Sequence, residues 1–144
     1  MKYYAVVDTN VIVSGTLFKE SVPGRIIRHV YNENVIPLIN EKIINEYEEV
    51  LNRSKFKFAQ EEIQTLLAYF KSNGISMESK EFEELMSDES DIVFYGVTLS
   101  AKDEFGSNTF LITGNTKHFP KKEFVVTPKE MNDILDSDKK INKI

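Results

Sequence analysis

The chain alternates short apolar runs with stretches of helical periodicity. Tyr3-Tyr4-Ala5-Val6-Val7 is a continuous apolar run stopped by Asp8, which predicts a buried strand. Asp8-Thr9-Asn10 offers N-capping side chains, and residues 11–18 predict a short helix. After a loop holding Pro23 and Gly24, residues 25–31 place apolar side chains at helical spacing. Residues 35–39 read as a second strand, and Asn40 caps a helix whose stripe is Ile43, Ile44, Tyr47, Val50 and Leu51. Residues 58–70 continue as helix until Asn73-Gly74 stops it. Residues 75–77 predict a short third strand, and Phe82, Leu85 and Met86 a marginal helix. Asp91 opens a helix that ends near Phe105-Gly106. Residues 109–113 are the clearest later strand, residues 117–120 a turn or short helix, and residues 124–127 a last strand. Pro128 begins a final helix through Met131, Ile134 and Leu135.

Strands and helices in near one-for-one alternation predict a three-layer α/β/α sandwich around a mostly parallel sheet. The expected organisation is a single domain over residues 1–136 with a polar, Lys-rich and frayed tail at 137–144. With 144 residues, 41% hydrophobic and 28% charged, the chain can close a core, which excludes collagen-like and wholly disordered classes. It has no cysteine, so disulfides, thiolate-metal sites and a cysteine nucleophile are excluded, and a reducing, cytoplasmic setting is expected. No apolar run approaches the roughly 20 residues of a membrane span, and Met1-Lys2-Tyr3-Tyr4 lacks a signal-peptide layout, so no membrane partner is expected. A net charge of −5 argues at first against nucleic acid. Position changes that inference: residues 76–104 carry nine acids and two lysines, net −7, and the remainder is net +2.

Open parallel sheets gather functional groups at the carboxyl ends of their strands. Two strands end on polar residues, at Asp8-Thr9-Asn10 and at Thr113-Gly114-Asn115. Four apolar residues run directly into Asp8, which places a carboxylate at the edge of the core, a cost of several kcal/mol unless it is paired or bound. Glu46 precedes the apolar Tyr47 and so borders a buried helix face, and Asp91 follows Asp88 by three residues at a helix start. If Asp8, Glu46 and Asp91 converge, either protons or a divalent cation must offset the charge. An all-oxygen donor set suits Mg²⁺ or Mn²⁺, and such a site hydrolyses phosphodiesters. Each residue also has a plain structural role open to it. Asp8 and Asp88 can cap helices, Glu46 can belong to a solvated face, Asn115 can be a turn residue, and His118 reads better as a turn or packing residue than as a ligand.

Four blocks appear in one order along the chain. They are Val6-Val7-Asp8-Thr9-Asn10-Val11-Ile12-Val13-Ser14-Gly15, Asn45-Glu46-Tyr47-Glu48-Glu49-Val50-Leu51-Asn52-Arg53-Ser54-Lys55-Phe56, Asp88-Glu89-Ser90-Asp91-Ile92-Val93-Phe94, and Leu111-Ile112-Thr113-Gly114-Asn115-Thr116-Lys117-His118-Phe119-Pro120. Together they resemble PIN-domain ribonucleases, in particular a bacterial branch described as toxin components of toxin–antitoxin pairs.

The resemblance implies a metal-dependent endoribonuclease acting on single-stranded or looped RNA, with a cognate antitoxin protein and a homodimer as partners. It assigns Asp8, Glu46 and Asp91 as metal ligands, Asn115 as a further catalytic residue, and Asn10, Thr113 and Asp88 as supporting residues. Asn115 stands where the commonest family pattern has a fourth aspartate, and an amide removes one negative charge there. Arg25, Arg28, Lys117, Lys121 and Lys122 are candidate phosphate contacts. Two other classes stay open. A fold-retaining binding module is favoured by Asn115. An aspartate phosphatase or receiver domain is disfavoured, because Asn10 replaces the second aspartate such phosphatases use.

Overall fold

The structure is a computed structural model that describes residues 2–142, with side chains described through Asp138. Five strands form its sheet: β1 (Tyr3–Val7), β2 (Val35–Ile39), β3 (Ile75–Ser76), β4 (Thr109–Ile112) and β5 (Val125–Val126). The spatial order is β3-β2-β1-β4-β5, and every pairing is parallel. Helices α1 (Thr9–Leu17) and α2 (Val22–Tyr31) connect β1 to β2, α3 (Glu41–Leu51) and α4 (Gln60–Asn73) connect β2 to β3, α5 (Glu89–Phe105) returns from β3 to β4, and α6 (Pro128–Asn142) follows β5. The first two crossovers step one way from β1 and the α5 crossover steps back across it. Right-handed connections therefore set their helices on opposite faces, giving the expected α/β/α layering.

Burial follows the sequence pattern. Ala5, Val6 and Val7 of β1, Leu38 of β2 and Leu111 and Ile112 of β4 are buried, as central strands covered on both sides require. The stripe of α3 packs inward through Ile43, Ile44, Tyr47 and Leu51. Tyr47 is fully buried, and its hydroxyl donates to the Val7 carbonyl. A buried hydroxyl has to find such an acceptor, so this bond fixes α3 against the carboxyl end of β1.

Four local expectations change. Pro23 and Gly24, expected in a loop, lie in the first turn of α2, because the Ser21 side chain caps it by accepting from Gly24 N at 3.2 Å and proline suits that turn. Helix α5 starts at Glu89, two residues before Asp91, because the Asp88 side chain accepts from the Asp91 amide at 3.1 Å and is itself the cap. Helical backbone in α6 continues to Asn142, through most of the segment expected to fray; residues 143–144 lie outside the described residues. The marginal helix around Phe82, Leu85 and Met86 does not form: the chain from Met77 to Ser87 has no helix or strand, and Leu85 is 99% exposed. Tertiary contacts hold this segment instead. Lys80 N donates to Gly96 O at 3.0 Å, the Tyr95 hydroxyl donates to Glu84 at 2.7 Å, and Phe82 meets Tyr95 edge-on at 4.8 Å between centroids.

Gly96 permits that approach. A Cβ there would run into Ser79 Oγ and stand 2.8 Å from the Lys80 carbonyl oxygen. Alanine gains helix propensity of up to about 1 kcal/mol, and the clash with backbone outweighs it. Gly96→Ala is expected to lower stability by about 1–3 kcal/mol in urea unfolding and to speed exchange of the Lys80 amide.

Candidate active site

The chain reverses its direction across the sheet between β1 and β4, and the crevice outside their carboxyl ends is the usual ligand position in open α/β sheets. Val7 is in register with Ile112, and Asp8 N donates to Ile112 O at 2.9 Å. The next residue on each strand, Asp8 and Thr113, therefore meet, and Thr113 Oγ1 donates to Asp8 Oδ2 at 2.7 Å. Asp8 occupies the N-cap position of α1 but makes no capping side-chain bond. Its carboxylate is engaged across the sheet, and only 8% of the residue is exposed.

Glu46 is adjacent to the anchored Tyr47 and reaches the same place. Thr9 Oγ1 donates to its Oε2 at 2.8 Å, and Ser90 Oγ donates to its Oε1 at 3.1 Å. These two hydroxyls fix the carboxylate between the starts of α1 and α5. Asp91, in the first turn of α5, completes the set. Asp8, Glu46, Asp88 and Asp91 line one open cavity of about 420 Å³, with Asn10 and His118 also on its wall. Asn10 Oδ1 accepts from Gly114 N at 3.3 Å, which ties α1 to the turn after β4.

Two of these acids hold their protons more tightly than free carboxyls do. Burial pushes the Asp8 carboxyl above its ordinary range, with Glu46 adding to the rise, while Thr113 and the Thr9 and Asn10 amides pull it down. Asp91 is pushed up to about 6 by burial first, then by Asp88, Asp8 and Glu46, with His118 opposing. Among the described residues no three His, Asp or Glu side chains stand as a ready-made metal cluster. The donors nonetheless suit a hard divalent cation: they are oxygens on one wall, and their mutual repulsion is what such a charge offsets. Asp8, Glu46 and Asp91 are the residues that could hold it.

Asn115 does not line the cavity. Its backbone amide donates to Thr113 Oγ1 at 3.0 Å, and its side-chain Nδ2 lies 2.9 Å from His118 Nε2. With Nδ2 as donor, the imidazole proton sits on Nδ1, which is 3.7 Å from Asp91 Oδ2. A polar arc thus runs from Asp8 through Thr113, Asn115 and His118 to Asp91. His118, read from sequence as a turn residue, does occupy a 3-10 turn (Thr116–His118), and it also faces the cavity. Thr9, Ser14, Arg53 and Ser90 are polar wall residues that the sequence did not single out, and Val13 and Phe56 join them as apolar ones. Thr9 and Ser90 are next to singled-out positions, whereas Arg53 lies seven residues beyond Glu46 and shows only as a member of its block. Of the candidate phosphate contacts, Lys117 lines a neighbouring cavity, Lys122 pairs with Glu84 at 3.7 Å, and Arg28 donates to the Lys19 carbonyl. Arg25 and Lys121 are exposed and line neither cavity.

A family model for the PIN domain matches residues 4–117, which spans all four acids and the β4 turn. PIN domains are generally nucleases, and those nucleases generally use divalent metals. No curated protein and no solved structure matches the chain significantly.

The raised acids carry a stability consequence for the metal-free protein. Asp91 binds its proton more tightly when folded than an ordinary carboxyl does when unfolded. Its contribution to stability is therefore full below the ordinary carboxyl range and is lost as pH rises through about 6. Asp91→Asn should raise the melting temperature of metal-free protein at pH 8, on the order of 2–5 °C, and leave it nearly unchanged at pH 4. Differential scanning calorimetry at the two pH values reads this directly.

Proposed function

The chain belongs to the PIN-domain family, and from that premise we propose that it is an endoribonuclease that cleaves single-stranded or looped RNA with Mg²⁺ or Mn²⁺. The observation that carries this reading is the convergence of Asp8, Glu46 and Asp91 on one cavity at the crossover crevice. Nothing about folding requires three carboxylates from three elements to share a wall, and they cost stability there. A divalent cation bound by them supplies Lewis acidity, lowering the pKa of a water and offsetting charge on the phosphate.

The protein's own groups orient and shield. Thr113 holds Asp8, and Thr9 and Ser90 hold both oxygens of Glu46, so each carboxylate presents a fixed face. His118 stands beside Asp91 and Asn115 acts through it; Asn10 is the amide on the cavity wall itself. Single-stranded or looped RNA fits an open cavity of this kind, because its backbone can be splayed against a wall.

The cellular role we propose is that of the toxin component of a toxin–antitoxin pair in the cytoplasm, with a cognate antitoxin and a homodimer as partners. Exposed Leu17, Phe18, Val22 and Tyr31 on and between α1 and α2 support a protein-binding face, Phe18 being 65% exposed. No helix among the described residues is long and apolar enough to cross a membrane. A second reading, a binding module without activity, is favoured by Asn115 standing in place of a fourth acid and facing His118 rather than the cavity.

The test is incubation of purified protein with a mixed single-stranded RNA pool in Mg²⁺ or Mn²⁺, in chelator, and beside Asp8→Asn. Cleavage is expected with metal, is abolished by chelator, and falls at least about 100-fold in the variant. Absence of metal-dependent cleavage would sink the nuclease reading in favour of the binding module.

A further inference from the structure

We infer that Arg53 and Lys117 bracket the acidic cavity as two phosphate-binding subsites, one on each side of the phosphate to be cleaved in a single-stranded RNA. This rests on the nuclease reading and extends it to the path of the strand.

Arg53 follows α3 in a turn closed by Phe56 N donating to Arg53 O at 3.1 Å. It is exposed and lines the acidic cavity together with Phe56. Lys117, in the 3-10 turn after β4, lines a second cavity of about 800 Å³ that Arg53 does not reach. The two cavities share Asp88, Asp91 and His118, so a strand can pass from one into the other without leaving the wall.

Both charges are available. Among the described residues neither Arg53 nor Lys117 forms an ion pair, although each shares a wall with Asp91. Three other basic side chains are engaged elsewhere: Lys80 with Asp103 at 2.7 Å, Lys122 with Glu84 at 3.7 Å and Lys19 with Glu62 at 3.8 Å. An acidic cavity repels a polyanion unless cations flank it, and these two are the flanking cations. Each also has an apolar neighbour for a base. Phe56 is half-buried beside Arg53, and beside Lys117 the second cavity carries fully exposed Leu85, half-buried Met86 and Pro120. Cations tracking the backbone with apolar surface between them is how single strands are held.

The test measures binding of a fluorescein-labelled 12-nucleotide RNA pool, with Ca²⁺ replacing the catalytic metal, over a salt series. Cleavage by the unaltered protein is assayed in parallel with Mg²⁺ and Mn²⁺. Arg53→Gln and Lys117→Gln are each expected to weaken binding about five- to tenfold and to reduce the salt slope by about 0.7. Lys71→Gln, an exposed change on α4, should alter neither. All three side chains are exposed, so melting temperatures should match and folding does not confound the comparison. If the protein cleaves RNA while both variants bind with unchanged affinity and slope, the subsites are wrong and the nuclease reading stands. If the unaltered protein neither cleaves nor binds, the nuclease reading fails and takes this inference with it.

Discussion

Asp8 occupies the site because β1 and β4 pair in a single register, with Val7 opposite Ile112 and the Asp8 amide donating to the Ile112 carbonyl. Side chains alternate faces along a strand, so a slip of one residue would turn Asp8 away from Thr113 and move the apolar set of β1 off its core face. Burial of Ala5, Val6 and Val7 therefore fixes the position of a carboxylate that none of them touches for chemistry. The other two acids inherit their places from the same register. Tyr47 reaches the Val7 carbonyl and brings Glu46 along, and Ser90 reaches Glu46 and brings the first turn of α5, with Asp91 in it.

The arrangement opposes two demands. Close packing at a strand end favours neutral groups, and the site assembles carboxylates there. Hydrogen bonds to a charged group are worth about 1.5–3 kcal/mol each, comparable with the several kcal/mol that burying the charge costs. Thr113 and the Thr9 and Asn10 amides together do not balance Asp8, since burial still leaves its proton held above the ordinary range. Asp91 is less well served, with Asp88, Asp8 and Glu46 against it and only His118 in its favour. The remaining imbalance is what a proton or a bound cation relieves. The same carboxylates that would hold a cation thus make the metal-free protein less stable at neutral pH.

Much of the fold was legible because it rests on local pattern. The apolar runs of β1, β2 and β4 and the stripe of α3 each report burial within a few residues, and Asn40 caps the helix that follows it. Misses occurred where distant contacts override local spacing. Phe82 and Met86 sit half-buried without helical backbone because Gly96 and Tyr95, on α5, supply their partners. At the site, Asp8, Glu46 and Asp91 could be named because each borders an apolar run. His118 could not, since its neighbour Asp91 is 27 positions away and no local pattern encodes that meeting. Arg53 was visible only as part of a block and not as a wall residue. Asn115 was expected as a catalytic residue, but its side chain turns to His118 rather than lining the cavity, a direction set by the turn after β4 that no local pattern encodes.

The two outermost strands, β3 and β5, are two residues long. An edge that short exposes too few unpaired amides and carbonyls to template another strand. Addition of a foreign extended segment, the route by which open sheets join into fibrils, has almost no backbone ladder to build on here. Chains of this kind can accumulate without zipping together edge to edge. Any lasting association must be made by side chains on the helical layers, where sequence can tune it one residue at a time.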